Sequence, residues 1–343
     1  MDMSRETETR IVALTGFLGS GKTTLLKRLV DTYQMAGLRV AVVINELGEV
    51  NIDGTQLTMD GEGREVMMRE LLGGCICCSV RGELGVTLLE LIERDCPDVV
   101  LIEATGAANP LELMEVVSET SMLVRAKLAA VITVVDSVMF SEQASKASGK
   151  TWRLLREQVR GASLVLLNKV DQLSEEESKI EVVIEQVRAC NGYAPIVATI
   201  RCAWDADERR WWDLLGEEVQ FDLEHNQPAL EIERPRFQMA FQPARSTVHD
   251  SHLHLLVLTY YLKQGIESAE FTQLMNQLPA NVYRAKGIVR FADTGQRVMF
   301  QYAYRQLECL PITNTERAFE DVIVLIGEGL HRQELDKHFT IYQ

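Results

Sequence analysis

Gly16-Phe17-Leu18-Gly19-Ser20-Gly21-Lys22-Thr23 decides how the rest of the chain is read. The octapeptide fits G-x-x-x-x-G-K-[ST], and its flanks come in the order a phosphate cradle requires. An apolar run at 11–14 reads as a buried strand, and Thr24-Leu25-Leu26-Lys27-Arg28-Leu29-Val30 has the period of a helix. Glycine at Gly16, Gly19 and Gly21 lets the backbone amides of this turn, including those of Ser20 and Thr24, close around phosphate oxygens. Lys22 brings a cation to the outer phosphates and Thr23 a hydroxyl to Mg²⁺. The stretch therefore predicts a nucleoside triphosphate site at the end of the first strand.

Downstream, short apolar runs rich in β-branched residues recur at 40–44, 99–102, 130–135, 164–167 and 196–198. Unbroken runs of this kind are strands covered on both faces, as in a parallel sheet. Helical stretches lie between them. Ser174 and Glu177 have capping-box spacing, and Ile180, Val183, Ile184 and Val187 then recur on one face. The pattern is α/β, a doubly wound and mostly parallel sheet. Ligands of such sheets sit beyond the carboxyl ends of the strands, where the sequence places Gly16 to Thr23, Asn45-Glu46, Glu103, Asp136 and Asn168-Lys169-Val170-Asp171.

Periodicity fades near residue 222, and Pro228, Pro235 and Pro243 punctuate a stretch of mixed charge. We read 1–222 as the first domain, 223–245 as a linker, and 246–343 as a second, smaller α+β domain. In the latter, strands are expected at 253–260, 287–291, 298–304 and 322–326, the middle two around the turn Asp293-Thr294-Gly295. Helices are expected at 269–278 and 333–338.

At 343 residues, with 46% apolar and 25% charged, the chain has an ordinary globular composition. A formal charge of -15 argues against nucleic acid and anionic membranes as partners. The first residues are charged, and no stretch reaches the run of about 18 apolar residues that a membrane span needs, so a cytoplasmic protein is expected. Seven cysteines form an odd set in which Cys75, Cys77 and Cys78 crowd together. That distribution suits a reducing compartment and metal or redox work at the cluster.

Three further elements carry chemistry. Asn168-Lys169-Val170-Asp171 has the form N-K-x-D: the Asp171 carboxylate accepts from guanine's ring N–H and exocyclic amine, Asn168 suits the keto edge, and the Lys169 stem can lie over the base. Adenine lacks those donors, so GTP is expected over ATP. Glu103-Ala104-Thr105-Gly106 occupies the place where P-loop enzymes present an acidic residue to Mg²⁺ and a glycine amide to the γ-phosphate. In Gly73-Gly74-Cys75-Ile76-Cys77-Cys78 the paired glycines would let three thiolates converge on a borderline ion such as Zn²⁺ or Co²⁺, leaving one position of a tetrahedron open. His249, His252 and His254 form a looser set. On a strand His252 and His254 would face the same way, as a second metal site or as polar positions of an exposed face.

Together these residues resemble the CobW-type family of metallochaperone GTPases. The P-loop extended through Leu26 carries the resemblance, as do Asn45-Glu46-Leu47-Gly48-Glu49-Val50, Gly74-Cys75-Ile76-Cys77-Cys78, the tract from Ile102 to Pro110, the N-K-x-D element, Arg284-Ala285-Lys286-Gly287 and Val324-Leu325-Ile326-Gly327. The resemblance implies a P-loop GTPase sheet with a CobW-like C-terminal domain, and GTP hydrolysis coupled to delivery of a divalent metal to a client apo-metalloprotein. It implies Lys22, Glu46 and Glu103 as catalytic residues, Thr23 and Glu103 at Mg²⁺, Glu46 and Glu49 in a segment that feels the γ-phosphate, and Cys75, Cys77 and Cys78 at the transferred metal. Glu49 is a further candidate metal ligand, and a homodimer is left open. A nucleotide-gated metal sensor and a cobalamin-loading G-protein chaperone are the alternative readings. Without an evident water-orienting glutamine or arginine finger, intrinsic turnover is expected to be slow.

Overall fold

The computed structural model describes residues 8–44, 67–70, 78–173, 177–203, 241–242, 255–303, 305–312, 319–328, 330, 332–339 and 342. In the first part of the chain β1 (Thr9–Thr15) runs into the glycine loop and α1 (Lys22–Met35). There follow β2 (Val40–Ile44), β3 (Met67–Glu70), α2 (Cys78–Asp95), β4 (Val99–Glu103), α3 (Pro110–Ser121), β5 (Ala126–Asp136), α4 (Ser137–Lys146) and α5 (Gly149–Arg160). Then come β6 (Leu164–Asn168), a 3-10 turn (Val170–Gln172), α6 (Glu177–Arg188), β7 (Ile196–Thr199) and β8 (Phe241–Gln242). The strands form one sheet in the order β3-β2-β4-β1-β5-β6-β7-β8, parallel throughout except where β8 pairs antiparallel with β7. Phe241–Gln242 falls inside the stretch read from the sequence as a linker.

Side chains alternate across each strand, so each face needs its own cover. On one face Leu25, Leu26, Leu29, Val30 and Tyr33 of α1 pack on Val12, Leu14, Val42, Leu101 and Ile132. On the other, Leu88 and Leu91 of α2 and Met114 and Val117 of α3 pack on Ile11, Ala13, Val43, Val100 and Ile102. Further along that sheet Phe140, Leu155, Val159, Val183 and Ile184 from α4, α5 and α6 cover Val135, Val165 and Leu167. The chain leaves β1 for β2 on one side and later returns to β5 on the other. The glycine loop thus sits where the winding changes direction, the place in an open α/β sheet where a ligand finds a crevice.

A second sheet, all antiparallel, has the order β12-β11-β10-β13-β9. Its strands are β9 (Leu255–Leu262), β10 (Val282–Arg290), β11 (Arg297–Ala303), β12 (Gln306–Pro311) and β13 (Asp321–Glu328). Helices α7 (Ser268–Asn276) and α8 (Arg332–Phe339) cover one face through Phe271, Met275, Leu335 and Phe339. The opposite face meets the first sheet's layer. Val257 packs into the cluster around α3, and the Tyr261 hydroxyl accepts from the Ala126 amide (2.9 Å) and donates to its carbonyl (3.0 Å). Arg284 pairs with buried Glu115, and Lys286 lies 2.8 Å from Glu119. Alternate residues of β10 thus meet residues four apart on α3, because two strand steps and one helical turn advance by similar lengths. Among the described residues no helix is long and apolar enough to cross a membrane.

Candidate nucleotide and metal site

Gly21 is the N-cap of α1, in the left-handed region at φ 116°, and no side chain caps the helix. With no cap side chain competing for them, the amides at the start of α1 form the kind of helix N-terminus that suits an anion. A Cβ on Gly21 would lie 2.6 Å from Asn168 Nδ2, so glycine is required there on two counts. Ser20 Oγ is buried and finds no hydrogen-bond partner among the described residues, as expected of a hydroxyl awaiting a phosphate oxygen. Lys22 Nζ donates to the Phe17 carbonyl at 3.1 Å, folding its ammonium back over the loop.

Thr23 Oγ1 donates to Glu103 Oε1 at 2.7 Å, joining the end of the glycine loop to the end of β4. A hydroxyl and a carboxylate are hard oxygen donors of the kind Mg²⁺ takes. Beyond Glu103 the chain turns over the glycine loop, with the Ala107 amide bound to Thr105 Oγ1 (3.1 Å). A Cβ on Gly106 would sit 2.7 Å from the Leu18 backbone nitrogen, so the two loops touch and Gly106 has no room for a side chain.

Asn168 is 2% exposed. It donates to the Ser20 carbonyl (2.8 Å) and accepts from the Cys202 amide (2.9 Å) and Thr199 Oγ1 (3.2 Å). The sequence suggests that it meets the guanine keto edge. Its amide ties β6 to the glycine loop and to the turn after β7, with the Ser20 contact using one of the two Nδ2 hydrogens. Asp171 is exposed in the 3-10 turn, and Lys169, at φ 62°, holds Asp136 Oδ2 at 2.7 Å while its carbonyl accepts from Ser137 Oγ at 3.0 Å. Sequence reasoning missed Cys202. Its buried thiol donates to the Gly21 carbonyl at 3.4 Å, and desolvation pushes its pKa up to about 12. Nothing in the sequence around Cys202 marks it out.

The register brings three strand ends level. Ile44 closes β2 opposite Glu103 on one side and Glu70 on the other. Glu46 and Glu49, expected after β2, lie outside the described residues, as do Cys75, Cys77, His249, His252 and His254; Cys78 opens α2. Among the described residues no three His, Cys, Asp or Glu side chains converge as a metal site.

A parallel sheet with a glycine loop at its switch point, a hydroxyl–carboxylate pair beside that loop and an N-K-x-D tract two strands over defines a P-loop nucleotide-binding protein of the α/β class. The sequence model described as "CobW/HypB/UreG, nucleotide-binding domain" matches residues 10–198, and "Cobalamin synthesis protein cobW C-terminal domain" matches residues 257–341. The chain belongs to the CobW/HypB/UreG family. It is 29% identical over 345 residues to the zinc chaperone YjiA of Escherichia coli K12, covering 96% of this chain and 97% of that protein. It is 33% identical over 218 residues to the zinc chaperone CobW of Pseudomonas aeruginosa, a match that takes in 54% of this chain and 58% of that relative's length. The crystal structure of the Zn(II)-bound YjiA GTPase from E. coli aligns over 98% of this chain and 99% of that one, at 22% identity and a TM-score of 0.45.

Proposed function

We propose that this chain hydrolyses GTP and uses the cycle to hand a divalent transition ion, zinc or cobalt, to a client metalloprotein. One observation carries the coupling: Glu70 and Glu103 both stand level with Ile44 on neighbouring strands. The backbone entering the cysteine tract therefore starts about 10 Å, two strand spacings, from the carboxylate beside the phosphate loop. Residues 71–77 span from there to α2, so movement at the rim is felt by Cys75, Cys77 and Cys78. The domain limits 1–222, 223–245 and 246–343 belong to this reading, with the second domain as the client-facing part.

In this scheme Gly16, Gly19, Ser20, Gly21 and Thr24 hold the phosphates, Lys22 draws charge from the outer ones, and Gly106 offers its amide to the γ-phosphate. Thr23 and Glu103 would hold Mg²⁺, which when bound neutralises the β- and γ-oxygens. Asp171 reads the guanine donors, Lys169 covers the base, and Asn168 meets the keto edge while tying that strand end to the loop. Glu46 and Glu49 respond to the terminal phosphate, with Glu46 also serving hydrolysis. The three thiolates bind the transferred ion, and the names of the relatives support zinc.

The test is a zinc competition titration under reducing conditions with GTP, GDP and no nucleotide, on wild type and on a Cys75, Cys77, Cys78→Ser triple variant. Nucleotide-dependent zinc affinity that the triple variant loses is expected. Equal affinity in all three states would reject the coupling, and failure to bind zinc at all would leave a cofactor-loading chaperone as the better account.

A further inference from the structure

Gln158 lies in the last turn of α5, is 1% exposed, touches the Gly106 loop and is linked through Thr133 and Thr15 to the strand that enters the glycine loop. Its Nε2 donates to the Gly106 carbonyl at 3.0 Å and the Ala108 carbonyl at 3.3 Å. The amide is oriented by these contacts, since the reverse orientation would set its oxygen against two carbonyls. Its backbone carbonyl accepts from Thr133 Oγ1 at 2.9 Å, and Thr133 Oγ1 lies 2.7 Å from Thr15 Oγ1. A hydroxyl has one hydrogen, and Thr133 gives its own to Gln158, so Thr15 must donate to Thr133. Thr15 immediately precedes Gly16. One residue is thus linked to the root of the glycine loop through its backbone and holds the Gly106 loop through its side chain.

We propose that Gln158 is a positioning residue for GTP, holding the Gly106 and Ala108 carbonyls so that the Gly106 amide at the start of this turn meets the γ-phosphate. The inference rests on the guanine-nucleotide reading above. Two features favour this over space filling. The amide is buried with Oε1 lacking a partner among the described residues, a burden that an apolar side chain of the same size would not carry. The loop it holds also packs directly on Leu18 of the glycine loop, so a small shift there is felt at the phosphates.

The two ends of Gln158 predict different phenotypes. Gln158→Met removes the side-chain donor, keeps the bulk and leaves the backbone link to Thr133 intact. Affinity for a non-hydrolysable GTP analogue is expected to fall about tenfold, or about 1.4 kcal/mol, with GDP affinity unchanged within about twofold and KM for GTP raised. Thr133→Val, which severs the backbone link, is expected to weaken GDP and the analogue together. Parallel loss of GDP and analogue binding in Gln158→Met, or no loss of either, overturns the proposal. A wild-type measurement covers a variant that does not fold: the Gln158 side-chain amide resonances are expected to differ between GDP and analogue complexes, and identical resonances overturn it. If wild type binds neither nucleotide, the guanine-nucleotide reading falls first and this inference with it. If wild type binds both and Gln158→Met behaves like wild type, the inference alone falls.

Discussion

Thr23 Oγ1 gives its single hydrogen to Glu103 Oε1, 2.7 Å away, and keeps its lone pairs for another partner. The contact therefore leaves oxygen lone pairs open, as the proposed Mg²⁺ site requires. Thr23→Ala and Glu103→Gln should each lower GTP turnover at least about 100-fold at saturating Mg²⁺, the scale on which a preorganised electrostatic group acts. GDP binding in the absence of Mg²⁺ should change little. Nucleotide titrations with and without Mg²⁺, beside phosphate-release assays, check this. A Glu103→Gln variant with normal Mg²⁺-dependent turnover would remove Glu103 from the proposed site.

Gly106 gives a steric prediction. A methyl group there would collide with both the Leu18 side chain and its backbone nitrogen, and the backbone cannot swing aside as a flexible tip would. Gly106→Ala should separate the two loops and reduce affinity for a GTP analogue more than for GDP. The fold should survive, with an overpacking cost of about 1–3 kcal/mol read from urea unfolding.

The two ion pairs between α3 and β10 should differ in worth. Glu115 is buried, and removing Arg284 takes a cation from a largely desolvated carboxylate, whereas Glu119 is half exposed. Arg284→Ala should destabilise by about 2–4 kcal/mol, and Lys286→Ala by less than about 1 kcal/mol. Because α3 begins at Pro110, directly after the Gly106 loop, Arg284→Ala should also loosen any coupling between nucleotide state and the second sheet. Denaturant titrations of both variants settle the ranking; equal losses would contradict it.

Most of the fold was legible because its strands are buried on both faces and read as unbroken apolar runs, β2 and β6 to within a residue of their observed ends. What escaped was polar or short. The strand β3, Met67-Met68-Arg69-Glu70, alternates nothing and among the described residues pairs on one side only, yet its last residue stands level with Ile44 at the end of β2. The edge strand β12 is mostly exposed and carries no alternating core signal. In the site, the motif residues Thr23, Glu103 and Lys169 were visible as chemistry. The structural work of Asn168, and the grip of Gln158 on the Gly106 loop, depends on contacts between residues 148 and 52 positions apart that no local pattern encodes.

Glu328 and Asp321 close β13 at opposite ends, and each is a buried acid facing arginine: Glu328 meets Arg160 at 3.0 Å, Asp321 meets Arg297 at 2.9 Å. Desolvation nevertheless outweighs the arginines, and both carboxyls titrate above their ordinary values. A raised acid binds its proton more tightly in the folded state, so these two groups favour folding below the ordinary carboxylate range. That contribution is lost as pH rises from the ordinary value through the folded one. Glu328→Gln should flatten part of this slope. At neutral pH it should stay within about 1 kcal/mol of wild type, since Arg160 keeps Glu157 at 3.0 Å. Unfolding midpoints across weakly acidic to neutral pH test the sign; a steeper fall in the variant would reverse it.

Thiol chemistry separates structural from metal-binding cysteines. The thiolate is the nucleophile, and burial holds Cys202 at about 12 and Cys190 at about 11, so at pH 8 only about 10⁻⁴ and 10⁻³ of each is reactive. Cys96 and Cys309 are exposed, and partial desolvation raises the Cys309 thiol, so Cys96 should alkylate first and Cys309 next. Iodoacetamide labelling of the native, reduced protein, read peptide by peptide, should therefore leave Cys190 and Cys202 unmodified until the fold opens. Added zinc should then protect Cys75, Cys77 and Cys78 as a group while Cys96 and Cys309 label at unchanged rates. Protection of only one or two of the three would reduce the ligand set and reopen the question of which side chains complete the coordination. Zinc-dependent protection of Cys202 would instead mean that the metal acts on the glycine loop itself, because that thiol touches the Gly21 carbonyl.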